Sequence, residues 1–225
     1  MLEFFENYYF IPLYGIALVI SLIRYRSYYD TVLKYFPIII AYTFLSEILG
    51  YIIGNFESFQ IIYSEKRSFL NSFVYNIFDI VFFLYFYFVF WKAITNSTHR
   101  EVIKYGTALF VISCLINLFF QNILILPQVY AITVGSLLLI TFSIFYIRQT
   151  IAAKKSNCLI LWTSIGLLIF YSFYPINMFL GVYSEAFYER FHLTQFHRLL
   201  IVAMYMCFII GFWKMKRRPS MRISH

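Results

Sequence analysis

The sequence predicts an all-α integral membrane protein: one bundle of seven transmembrane helices, N-terminus outside and C-terminus cytoplasmic. Three observations carry that prediction. Of 225 residues 62% are hydrophobic and only 12% charged, against about 25% charged in soluble domains. Apolar runs of roughly membrane length occur seven times. The basic residues fall on alternate connectors. A soluble domain of this size could not hide so much apolar surface. The same composition excludes a disordered chain and a disulfide scaffold.

The expected spans are 8–23, 36–56, 70–91, 103–121, 128–147, 158–181 and 196–213, followed by a basic tail over 214–225. Pro37 and Pro127 sit near the starts of the second and fifth spans, where a missing N–H costs little. Pro175 falls inside the sixth, where it is expected to kink the helix and free the carbonyl of Tyr171. Tyr8, Tyr9, Trp91 and Trp213 suit the interfaces, and the Phe run over 82–90 reads as packing. The acidic N-terminus, with Glu3 and Glu6, lacks the basic n-region of a signal peptide, so the first span is expected to be retained. Neither end carries a lipidation box.

The connectors fix the direction. One side collects Arg24, Arg26, Lys34, Lys92, Arg100, Lys104, Arg148, Lys154, Lys155, Lys214, Lys216, Arg217, Arg218 and Arg222, 14 of the 18 basic residues. The other has Lys66, Arg67, Arg190 and Arg198, with Glu3, Glu6, Glu57, Glu65, Glu185 and Glu189. The positive-inside rule makes the basic side cytoplasmic. A wrong helix count would scramble the alternation. The sequon Asn96-Ser-Thr98 then lies on the cytoplasmic side, away from glycosylation. The tail from Lys214 to Arg218 reads as a topology anchor, able to meet anionic head groups at about 1 kcal/mol per basic residue. The net charge of +8 forms no stripe interleaved with exposed aromatics, so no nucleic-acid partner is implied. Cys114, Cys158 and Cys207 lie in apolar stretches without paired spacing and read as core thiols.

Polar groups within the spans are where function is sought, because each mid-membrane charge costs about 2.5–3.5 kcal/mol on insertion scales. Glu47 and Asp79 qualify. Counting ~1.5 Å per residue from the helix starts puts Glu47 ~15 Å up the second span and Asp79 ~13 Å down the third, at nearly one level. Asn76 shares the face of Asp79 at i, i+3. Thr43, Glu47, Gly50 and Gly54 form one stripe whose small residues admit a neighbouring helix. Asn117 and Gln121, Gln128 and Tyr130, Ser172, Tyr174 and Asn177, and His197 and Arg198 add polarity toward the outer side. The inner halves carry mainly Phe, Ile, Leu and hydroxyl residues. The expected site is a polar pocket open to the outer face, with ligand-binding residues Glu47, Asn76, Asp79, Asn117, Gln121, Tyr174, Asn177, His197 and Arg198. For any chemistry the candidates are Glu47, Asp79 and His197. Taken singly, the amides and Ser172 are equally served by interhelical hydrogen bonds worth ~0.6 kcal/mol, and His197 and Arg198 by interfacial anchoring.

No cofactor or metal is implied. The last span has no mid-helix lysine for a retinal Schiff base, and the zinc-protease, serine-hydrolase and P-loop motifs do not occur. His192 and His197, five apart across a helix start, have poor metal-ligand spacing.

Leu45-Ser-Glu47, Tyr75-Asn-Ile-Phe-Asp79, the Pro175-bearing polar span and the span led by His197 give the chain a resemblance to small seven-helix membrane proteins common in the Bacteroidota. Relatives of that type often have Glu where this chain has Asp79. The resemblance implies a fold and a bacterial inner membrane, not an activity. Four readings follow. The leading one is a receptor-like or accessory protein that holds a small molecule or lipid head group and signals through a protein partner in the membrane. The others are a lipid-acting acid/base hydrolase, analogous to lysoplasmalogenase-like proteins, a small transporter on a three-one-three plan, and a subunit of a larger membrane complex.

Overall fold

A computed structural model describes residues 9–56, 72–153 and 158–215. These form helices α1 (Ile11–Ile23), α2 (Phe36–Asn55), α3 (Ser72–Ala93), α4 (Ser97–Phe120), α5 (Val129–Ala153), α6 (Cys158–Tyr183), α7 (Glu185–Arg190) and α8 (Leu193–Lys214), with a 3-10 turn at Tyr25–Ser27. Among the described residues there is no strand. Six helices, α2 to α6 and α8, are long and apolar enough to cross a membrane. The expected seventh crossing is shorter: α1 has 13 residues, about 20 Å at 1.5 Å per residue. Thus the described α-helices are six of membrane length, one short apolar helix and the six-residue α7. Expected residues 1–8, the loop 57–71, Lys154, Lys155 and the tail beyond Met215 lie outside the described residues.

Local chemistry sets the boundaries. Pro12 and Pro37 occupy the first turns of α1 and α2, where their fixed φ suits a helix start. Asn96, the sequon residue, caps α4 by accepting from the His99 N–H at 3.1 Å. Lys92 and Lys214 stand in the last turns of α3 and α8, opposite the negative end of the helix dipole. Pro175 is buried inside α6, and the helix runs through it to Tyr183. The sequence places no helix at α7, whose charged six residues carry no span-length apolar pattern.

The helices pack in a ring. α1 touches α2 and α8, α2 touches α3, α3 touches α5, α5 touches α6, and α6 closes on α8. α4 lies outside the ring against α3 and α5. The α6–α8 seam is the closest, and two glycines make it so. A Cβ on Gly166 would stand 2.9 Å from the Met204 carbonyl oxygen, and one on Gly211 3.1 Å from the Leu159 side chain. In lipid, where tails are as apolar as leucine, such close contact is a main source of helix association.

One end of the ring is basic and aromatic. Lys92 and Arg100 sit 4.6 and 4.8 Å from the Trp91 ring, and Lys214 4.8 Å from Trp162. Arg24, just past α1, donates to the carbonyls of Phe212 (3.2 Å) and Met215, at the end of α8. The ring is filled here by Phe36, Phe82, Phe86, Phe208 and Phe212, all buried. Phe36 bridges the plug, 5.8 Å from Phe86 and 5.2 Å from Phe208 between ring centres. The sequence places Phe in this half, and the structure uses it to fill the space. Of the three thiols Cys207 is buried and Cys114 and Cys158 are half-buried, all free.

Candidate functional site

The opposite half of the ring is hollow. A cavity of about 930 Å³ lies between α1, α2, α3, α6 and α8. Its wall is drawn by helical periodicity. α8 contributes Thr194, His197, Arg198, Ile201, Met204 and Tyr205, a single face at i, i+3, i+4, i+7 spacing. α3 contributes Ser72, Tyr75, Phe78, Asp79 and Phe82 in the same way. Leu126 and Pro127 form one side of the rim, and Tyr188 and Glu189 of α7 another. Toward the basic end the Phe82 and Tyr171 rings, 5.9 Å apart, join the aromatic plug.

Both mid-span carboxylates face this cavity, and tyrosine hydroxyls hold each of them. Glu47 accepts from Tyr75 at 3.0 Å and from Tyr14 at 3.4 Å. Asp79, 3% exposed, accepts from Tyr174 at 3.1 Å. The three phenols come from α3, α1 and α6, so the carboxylates tie together four helices that bound the space. Tyr75 reaches Glu47 over Gly50, whose missing Cβ leaves room for the phenol. The Tyr174 ring packs in a three-ring cluster with Phe170 and His197, 4.9 and 5.6 Å away between centres, which are themselves 5.5 Å apart. A buried carboxylate without such donors would carry a large desolvation cost.

Of the residues expected at the site, Glu47, Asp79, Tyr174, Asn177, His197 and Arg198 line the cavity together. Asn76, Asn117 and Gln121 are not on its wall. Asn76 is a clamp instead. Its amide N–H groups donate to the carbonyls of Ile123 (2.7 Å) and Leu126 (3.0 Å), and its Oδ1 accepts from the Gln128 backbone N–H at 3.0 Å. Gln128 returns a bond to the Asn76 carbonyl at 3.0 Å. The whole amide is spent on the α4–α5 connector, which explains its departure from the ligand-binding set. Gln121 donates to the Tyr183 hydroxyl at 3.3 Å, and Tyr183 pairs with Tyr130 at 3.1 Å. Asn117 is 1% exposed, and among the described residues neither amide atom has a hydrogen-bond partner. Ser172 bonds back to the Leu168 carbonyl at 2.6 Å, the common fate of a helix serine.

Among the described residues two buried side-chain atoms of the wall have no hydrogen-bond partner. Asn177 is 4% exposed and its Oδ1 is unbonded, and Nδ1 of His197 is buried and unbonded. The sequence reading missed Tyr14, Tyr75 and Tyr205 as wall residues. Among 21 tyrosines, mid-span position is the only signal that could have singled out Tyr14, and the i, i+4 spacing to Asp79 the only one for Tyr75. Among the described residues no group of three His, Cys, Asp or Glu converges as metal ligands would. No protein-family profile, curated protein or solved structure matches the chain.

Proposed function

We propose that this chain is a seven-span protein of the bacterial inner membrane, with its hollow end outward, that binds a small molecule or lipid head group as a receptor-like or accessory protein. The observation that carries the reading is the cavity, with Glu47, Asp79, Asn177 and His197 on its wall. Pockets of this size, apolar with a few convergent polar groups, are the usual form of a ligand site. The orientation is supported by the cluster of Lys, Arg and Trp at the plugged end, where the positive-inside rule puts the cytoplasm. On this reading α1 is the seventh crossing, and the signal passes to a partner in the membrane. The test is a thermal-shift screen of head groups and small metabolites on purified wild type, Glu47→Gln and Asp79→Asn. At least one ligand should stabilise the wild type and lose effect in both variants. The same ligand responses in all three proteins would remove the pocket from the argument.

A second reading has its own support. Two carboxylates and the His197 imidazole share one cavity, the elements of general acid and base catalysis on a lipid. Turnover of an ether or ester lysolipid by purified protein, abolished by Asp79→Asn, is its test. A transport reading finds less support, since the aromatic plug closes the far end of the ring.

A further inference from the structure

The chemistry of the cavity wall narrows the ligand. Its ionisable side chains are Glu47, Asp79, Glu189, His197 and Arg198, three acids against one guanidinium and one imidazole. Arg198 and Glu189 come from the rim region, so the deep part holds the two span carboxylates. Among the described residues neither carboxylate has a basic side chain within ion-pair distance. What each has is phenol hydrogen bonds, one at Asp79 and two at Glu47. A carboxylate has about four lone-pair sites, so both keep accepting capacity. Asn177 adds an independent observation: a buried side-chain carbonyl oxygen on the same wall with nothing donating to it. The phenols of Tyr14, Tyr75 and Tyr174 spend their protons on the carboxylates. The wall therefore offers, beside the donors of Arg198, His197 and its remaining hydroxyls, carboxylate and amide acceptors with spare capacity and aromatic faces.

We propose that the cavity takes a primary organic ammonium, its N–H groups directed to the acceptors of the wall, Asn177 and the free lone pairs of Glu47 or Asp79, among the rings of Tyr14, Tyr171, Tyr174 and Tyr205. An ammonium supplies the positive charge that two desolvated carboxylates lack, the donors that Asn177 lacks, and a cation for the ring faces. The apolar remainder of the wall and the volume of about 930 Å³ suit an organic body attached to that nitrogen. Among the described residues no three His, Cys, Asp or Glu side chains converge as ligands of a metal ion. The nitrogen can belong to a free amine or to the ethanolamine head of a phospholipid. The inference rests on the pocket reading above and adds the class of ligand.

The test uses purified protein in phosphatidylglycerol nanodiscs, with octylamine, octanol and octanoate as probes and melting temperature as the readout. Octylamine should raise the melting temperature saturably, while octanol and octanoate do not. Its apparent affinity should fall at least tenfold in Glu47→Gln/Asp79→Asn and severalfold in Asn177→Leu. Repetition in phosphatidylethanolamine nanodiscs assigns the source. A blunted octylamine shift there supports an ammonium site filled by lipid, and an unchanged one supports an ammonium site for a free amine. Equal shifts from octylamine and octanol in the wild type would overturn the ammonium assignment and leave the pocket standing. No shift from any probe, together with an unchanged melting temperature in the cavity-filling Ile201→Trp, would overturn both. The probe comparison is made on wild-type protein, so it decides the matter even where the double variant fails to fold.

Discussion

Tyr174 donates its hydroxyl to Asp79 at 3.1 Å, joining α6 to α3 across 95 residues of sequence. Removing that hydroxyl leaves Asp79 buried with no donor that replaces it. Tyr174→Phe should therefore cost about 1–3 kcal/mol of stability, the usual penalty for orphaning a buried polar group. Asp79→Asn placed on top of Tyr174→Phe should cost less than the two changes summed. Detergent-denaturation curves of the four proteins give the coupling directly.

Gly50 makes a second carboxylate contact possible. A methyl group there would occupy the place of the Tyr75 hydroxyl, so Gly50→Ala should push the phenol off Glu47. The expected result is that Gly50→Ala and Tyr75→Phe lower stability by similar amounts, about 1 kcal/mol for a lost hydrogen bond, and are not additive. Additive losses would mean that Gly50 serves something other than Tyr75.

Arg24 closes the basic end. Its guanidinium donates to the Phe212 and Met215 carbonyls, oxygens that the last turn of α8 leaves without intrahelical partners. Arg24→Ala should lower stability by about 1–2 kcal/mol through loss of charge-assisted capping. Arg24→Lys should recover part of it, because one ammonium cannot reproduce the fork. Thermal unfolding of the three proteins is sufficient.

Asn117 should respond in the opposite direction. Its amide is buried with neither atom bonded, so the side chain pays desolvation and gains nothing. Asn117→Leu is expected to raise stability by about 1 kcal/mol or more and to leave ligand response unchanged. A loss of stability would reveal a partner for this amide.

The membrane spans were legible because transfer of apolar side chains is additive along the chain. The six long helices fall within a few residues of their expected places, with α4 beginning earlier and α5 ending later than their apolar runs. α1 is shorter than the expected span, 13 helical residues over Ile11–Ile23. Glu47 and Asp79 were legible as residues of the cavity wall for the same energetic reason: a mid-span acid is costly to place against lipid. Tyr14, Tyr75 and Tyr205 were not, since a tyrosine is at home both in the interface and in the core. Asn76 shows the limit of the argument from burial. Its depth and face match those of Asp79, but whether a buried amide meets a ligand or a loop depends on where residues 122–128 fold, which periodicity does not encode. α7 escaped notice because six charged and aromatic residues look like any connector.

The Asn76 clamp makes the mouth of the cavity unequal. On one side Leu126 and Pro127 are bolted to α3, one turn above Asp79, by the bonds of a single amide and its return partner Gln128. On the other, Tyr188 and Glu189 stand on a helix of six residues, followed by His192 in a left-handed conformation at φ 50° that non-glycine residues seldom adopt. On the proposed ligand-binding reading, a guest wider than the opening would meet a jamb tied to α3 by side-chain hydrogen bonds at Leu126 and Pro127, and at Tyr188 and Glu189 one carried by a single short helix.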